Sequence, residues 1–172
     1  LIRKRIPVEF PVYLLTIEKD TCSKISVQDK INLSEEGITL ISLHYQRFGL
    51  GLLKWIPALI SCYFIISSKK IQTIHSWCTP GGLIGYIFAV LTGKRLILDS
   101  FEPHAEVMAE TKTWSAASLK FKTLFKFEKL MAKRAAVHIC CTADMKEYAL
   151  RKYGVELKRC FVKPACVDLI DY

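Results

Sequence analysis

Apolar residues gather in short continuous runs, separated by polar, turn-forming stretches. "VYLLTIE" (12–18), "ITLISLHY" (38–45), "IQTIHSW" (71–77), "RLILDS" (95–100), "AVHICCT" (136–142) and "CFVKPACV" (160–167) have the length and aliphatic content of strands. Between them lie helix-like pieces. Residues 26–37 read as a short polar helix or loop stopping at Gly37, and 52–68 as an apolar helix. Residues 79–93 start on Thr-Pro and stop on Gly, 115–134 are the longest helix, and 143–154 end at Gly154. Strand and helix in alternation predict an α/β fold: a Rossmann-like parallel sheet with helices on both faces. The strands are near-continuous apolar runs, as expected of strands covered on both faces.

In such sheets ligands bind beyond the carboxyl ends of the strands. His75, Asp99, Ser100 and Thr142 all fall at predicted strand ends. The fourth strand runs into "DSFEPHAE" (99–106), a cluster of carboxylates, a hydroxyl and an imidazole. An imidazole titrates near neutrality, so His104 suits a general base or a hydrogen-bond donor. Glu102 and Glu106 either orient that imidazole or contact a ligand's hydroxyls, or simply favour the amino end of a helix. His-x-Glu also invites a metal, but no further ligand set accompanies it, so no metal is expected.

Three other stretches carry candidate chemistry. In "TPGGLIG" (79–85), Gly81 and Gly82 open a helix, and serve either close approach of a ligand or close packing on the sheet. In "LKFKTLFKFEKLMAKR" (119–134), Phe121, Leu124, Phe125, Phe127, Met131 and Ala132 share one arc at about 100° per residue, with Glu128 near its centre. A carboxylate there must be paired or hydrogen-bonded, or its pKa rises; bracing a neighbouring loop is the role expected of it. Lys122, Lys126, Lys129 and Lys133 form a separate stripe, a solvated face or a contact for anionic lipid. "KPACVDL" (163–169) reads as a strand exit turning into a linker.

The apolar stretch 52–66 holds Lys54 and Pro57 and falls short of the roughly 20 apolar residues of a membrane span. It is expected to be a buried helix. The 172 residues are 51% hydrophobic and 24% charged, which excludes a disordered chain, and the formal charge of +9 favours an anionic partner. Nothing resembles a zinc finger, an aromatic RNA-binding motif or a recognition helix, so nucleic acid is not expected. The seven cysteines include no CxxC pair, which suits reduced thiols in a cytosolic protein. The opening "LIRKRIP" looks like the tail of a helix, so the chain is expected to be an internal piece of a longer product.

Taken in order, several segments resemble the N-terminal half of a glycosyltransferase family 4 enzyme of GT-B architecture. They are "IQTIHSW", "GGLIGYIFAVLTGKRLILDS", "FEKLMAKRAAVHICCTADMKEYALRKYG" and "FVKPACVDLIDY". The resemblance implies transfer of a sugar, of hexosyltransferase type, from a nucleotide-sugar to a saccharide or lipid-linked acceptor. It implies retention of the anomeric configuration and polysaccharide biosynthesis, with no bound metal and no cofactor besides the donor itself. The N-terminal domain of such enzymes holds the acceptor; the C-terminal domain holds the nucleotide-sugar through Glu-x7-Glu. Residues 1–172 are then expected to be one incomplete Rossmann-like domain. It would lack its first strand and glycine-rich loop, with the donor domain absent and the fragment alone inactive. The family often carries His directly after its fourth strand. Here Asp99-Ser100 stand there, and His104, a few residues on, is the catalytic candidate. Ser100 and Glu102 would line the acceptor pocket, Gly81 and Gly82 would border the interdomain cleft, and Thr142 would sit at its edge. Glu128 and His75 would support these residues from behind. The location implied is cytoplasmic, with peripheral contact to anionic membrane. Two alternatives stay open: a nucleotide-dependent oxidoreductase domain, and a non-catalytic membrane-surface or scaffold module using the lysine stripe.

Overall fold

The computed structural model describes residues 10–18, 25–44 and 54–163. The chain divides into two compact units between Ile71 and Gln72. One unit has a two-stranded sheet and the other a four-stranded sheet.

The first unit runs β1 (Val12–Glu18), α1 (Val27–Glu35), β2 (Ile38–His44) and α2 (Ile56–Ser68). β1 and β2 are parallel and in unbroken register from Val12↔Ile38 to Glu18↔His44. Parallel neighbours need a crossover, and α1 is that crossover. Ser26 caps it by accepting the Asp29 N–H at 3.0 Å. Gly37, at φ 70°, turns the chain back into β2 in the left-handed region that glycine tolerates. α2 starts with Pro57 in its first turn, where the missing N–H costs nothing. The sequence led us to expect α2 to be buried; instead Cys62 is its one buried residue, and Ile56, Ile60 and Phe64 are exposed. Apolar content measures what a helix could bury, not the surface available to bury it. Among the described residues no helix is long and apolar enough to cross a membrane.

The second unit runs β3 (Thr73–Trp77), α3 (Cys78–Thr92), β4 (Arg95–Phe101), α4 (His104–Glu110), α5 (Leu119–Arg134), β5 (Val137–Cys140), α6 (Met145–Tyr148) and β6 (Cys160–Val162). Its strands lie in the order β3-β4-β5-β6, all parallel. The expected 143–154 helix is two pieces: α6, then a π-helical turn over Ala149–Tyr153. The last strand is shorter than expected, and Pro164 onwards lies outside the described residues, as do "LIRKRIP", Cys22 and Cys166. α4 is a separate short helix, with Trp114 N–H returning to Met108 O beyond its end.

The core lies between the sheet and a layer made of α3, α5 and the π turn. β4 shows why: Leu96 and Leu98 point into that layer and are buried, while Ile97 and Asp99 alternate onto the other, half-buried side. Leu96, Leu98, Phe101, Met131, Ala132, Cys140 and Tyr153 form one cluster. Gly82 is buried there, and a Cβ on it would lie 3.1 Å from Met131 Sδ and 3.3 Å from Leu98 Cδ2. Gly85 is tighter still, since a Cβ would overlap the Ser76 hydroxyl. The Arg134 guanidinium donates to Ala89 O at 2.8 Å and Lys94 O at 2.9 Å, tying the end of α5 to the turn that leaves α3.

Candidate functional site

The carboxyl ends of β3, β4 and β6 bring together residues far apart in the chain. Trp77 pairs with Asp99 in the β3–β4 register, and His75 with Ile97, so His75, Trp77 and Asp99 stand on the sheet side away from α3. Asp99 accepts from His75 Nε2 at 3.1 Å and from Lys163 Nζ at 2.6 Å. Lys163 is delivered by the β5–β6 ladder, which continues one step as its N–H donates to Cys140 O at 2.9 Å. Burial pushes the Asp99 carboxyl up, but hydrogen bonds and charge from Lys163 and His75 outweigh it and hold the group below its ordinary value.

Ser100 sits in a β-bulge. The β4–β5 register passes from Asp99↔Ile139 to Phe101↔Cys140, leaving Ser100 as the extra residue, at φ 51°. The bulge resets the alternation. Without it Phe101 would fall on the Asp99 side; with it Phe101 enters the core at 2% exposure. The Ser100 hydroxyl accepts the Trp77 indole N–H at 2.5 Å and donates to Asp99 Oδ1 at 3.3 Å. Cys78, directly after Trp77, also has positive φ, 55°. Two non-glycine residues in the left-handed region at neighbouring strand exits mark backbone held against its preference.

His104 opens α4, with Nδ1 3.5 Å from Glu102 Oε1 and its ring edge-on to Trp114 at 6.5 Å between centroids. The Glu102 carbonyl faces the buried Thr79 hydroxyl at 3.5 Å, which connects the start of α3 to the start of α4. Glu106 does not serve the imidazole: it accepts from Lys152 Nζ at 2.9 Å and ties α4 to the π turn. No hydrogen bond or ion pair among the described residues joins His104 to the Asp99 set.

Glu128 lies beneath α4, fully buried. It accepts the Ala105 N–H at 2.9 Å on one oxygen and the Tyr153 hydroxyl at 2.9 Å on the other. This is the satisfied carboxylate its place on the apolar arc demanded, and it holds the residue next to His104. Burial pushes its pKa up from 4.5 to about 7; the bonds from Ala105 and Tyr153 offset part of that rise, and the nearby Glu106 charge adds to it. Burial, with the Glu128 charge beside it, also pushes the Tyr153 hydroxyl up.

The remaining expected site residues fall as follows. Thr142 is exposed just past β5. Gly81 is half-buried and has open space where a side chain would point, whereas Gly82 performs the packing role. Sequence reasoning named His75 and Ser100 but missed Lys163 and Trp77 as members of the cluster. The signal for Trp77 was its position beside His75 at a strand end. Lys163 had the weaker signal of closing the last strand. The thiols of Cys62, Cys78, Cys140, Cys141 and Cys160 are free, with Cys140 Sγ 3.3 Å from Cys160 Sγ. Among the described residues no group of three or more His, Cys, Asp or Glu side chains is placed to hold a metal ion.

No protein-family profile matches the chain, and no curated protein matches it in sequence. Solved structures do. The crystal structure of HepE from Anabaena with UDP and glucose matches at a TM-score of 0.54 and 13% identity, over 91% of this chain and 45% of HepE. HepE with UDP-glucose matches at 0.54 and 12%, over 91% and 44%. HepE with UDP alone matches at 0.53 and 12%, again over 91% and 44%. The likeness is one of fold. It establishes a Rossmann-like α/β arrangement of parallel sheets flanked by helices, and the chain spans less than half the length of HepE.

Proposed function

We propose that this chain is the acceptor-side, Rossmann-like domain of a GT-B glycosyltransferase of family 4 type. In the longer protein it moves a sugar from a nucleotide-sugar, held by a second domain, to a saccharide or lipid-linked acceptor. One observation carries the reading: hydroxyl-binding side chains collect at the strand ends of a fold shared with a protein crystallised with UDP and glucose. In this reading His104, with Glu102 beside its Nδ1, turns Nε2 toward a sugar hydroxyl. Asp99, Lys163 and Ser100 supply the acceptor's hydrogen-bond partners, with His75 orienting Asp99. Glu128 keeps the amino end of α4 in place. Transfer proceeds with retention and without a bound metal.

The test is a transfer assay on the protein expressed with its flanking reading frame, with UDP-glucose as donor and a panel of glycosides as acceptors. Transfer is expected, with the product's anomeric configuration by NMR matching the donor's. His104→Ala is expected to lower kcat about 10²–10⁴-fold. Binding of a nicotinamide dinucleotide without any sugar transfer would replace this reading with the oxidoreductase one.

A further inference from the structure

We propose that Trp77 is the platform on which a pyranose ring of the acceptor stacks, making it a specificity-determining residue of the strand-end site. The inference rests on the acceptor-side reading above and adds the ligand's shape to it. Trp77 is 69% exposed, yet it is not loose. Its one polar atom is held by Ser100 Oγ at 2.5 Å, so the edge of the indole is fixed. The residues on both sides of that bond carry the strain: Ser100 itself, and Cys78 directly after Trp77, have φ of 51° and 55°. Strain of this kind persists only where the surroundings impose it. Here it fixes the direction of an aromatic ring that packs on little else.

The neighbours specify what the ring receives. Trp77 is the register partner of Asp99, whose carboxylate holds His75 and Lys163. The His75 and Lys163 side chains are themselves 54% and 56% exposed. An apolar plate bordered by an ammonium, an imidazole and a hydroxyl complements a pyranose, which has a C–H face and a rim of hydroxyls. A planar aromatic alone would not need that polar border. An inorganic anion would not need the plate.

The measurement uses the protein expressed with its flanking reading frame and carrying Trp55→Phe and Trp114→Phe, so that of these three tryptophans only Trp77 reports. The indole N–H resonance and fluorescence are followed on titration with methyl glucopyranosides, cellotriose, inorganic phosphate and uridine monophosphate. A saturable shift with the glycosides is expected. By isothermal titration calorimetry, which needs no tryptophan reporter, Trp77→Ala should weaken their binding about tenfold or more, and Trp77→Phe clearly less, as a residual aromatic face predicts. In the transfer assay Trp77→Ala should raise the acceptor KM and leave the donor KM unchanged. Glycoside binding unaffected by Trp77→Ala overturns the stacking role while leaving the transferase reading intact. A Trp77 shift with uridine monophosphate alone, or with no probe at all, also overturns the proposal. The transferase reading is then decided by its own assay.

Discussion

Asp99 and Glu128 are the two carboxylates the second unit engages most fully, and they are treated in opposite ways. Asp99 sits at the strand ends between two side chains able to carry positive charge, Lys163 and His75, and its pKa is held down. Glu128 sits inside, and both of its hydrogen bonds come from neutral donors, a backbone N–H and a phenol. Its pKa is pushed up to about 7, from an ordinary 4.5. Neutral donors satisfy a carboxylate's oxygens but do not replace the hydration of its charge. The difference separates two tasks. The rim keeps a carboxylate charged at the exposed strand ends. The interior uses an acid as a fastener between α5, α4 and the π turn.

The most disruptive way to break the comparison is Glu128→Ala. It leaves the Ala105 N–H and the Tyr153 hydroxyl without partners in a closed site. A loss of about 3–5 kcal/mol in unfolding free energy by urea titration is expected. Asp99→Ala should cost far less, because its former partners reach solvent. A cost for Glu128→Ala no larger than that of Asp99→Ala would remove the distinction.

The pH dependence sharpens it. Glu128 binds its proton more tightly folded than unfolded, so its contribution is complete below about pH 4.5 and is lost as pH rises to about 7. The loss should approach about 3 kcal/mol and appear as the difference between wild type and Glu128→Gln. Asp99 works the other way. With its folded pKa lowered, its contribution is present above the ordinary 3.8 and is lost as pH falls through the folded value. Stability curves of the two variants should therefore diverge from wild type on opposite sides of about pH 4.

Gly85→Ala calibrates both, since it touches neither carboxylate. The added methyl meets Ser76 Oγ, and a cost of about 1–3 kcal/mol is expected, largely recovered in the Gly85→Ala/Ser76→Gly double variant. The smallest effect belongs to Lys163→Met. Stability should change by less than about 1 kcal/mol. The Asp99 carboxyl, followed by NMR, should titrate measurably higher than in wild type.

Much of the fold was legible because it follows from local pattern. Glycines at 37, 93 and 154, all left-handed, and the aliphatic runs between them define where elements begin and end, whereas the expected 115–134 helix starts only at Leu119, after the Ser118 cap. Glu128 could be recognised as a satisfied core carboxylate from helical period alone. Its partners could not, because Ala105 and Tyr153 are 23 and 25 residues away in the chain. The same holds for the strand-end cluster. His75, Asp99 and Ser100 were placed at strand ends by pattern, but Lys163 joins them only through strand pairing 64 residues from Asp99. Between the glycines of "TPGGLIG", spacing could not say which one packing requires. The Ser76 side chain on the neighbouring strand requires Gly85, Met131 and Leu98 crowd Gly82, and Gly81 alone has room. The apolar composition of α2 suggested burial, and nothing local could show that Cys62 alone would achieve it.

The bulge at Ser100 has a consequence for reading this chain against any other. A strand is a two-letter code in which odd and even positions face opposite sides, and one extra residue inverts the parity of everything after it. In β4 that inversion falls between Asp99 and Phe101. A relative lacking the residue would align with this chain up to Asp99 and again from Phe101, but only if a gap is opened at Ser100. Slid through without one, the comparison would match the core residue Phe101 to a position on the site-facing side of the strand.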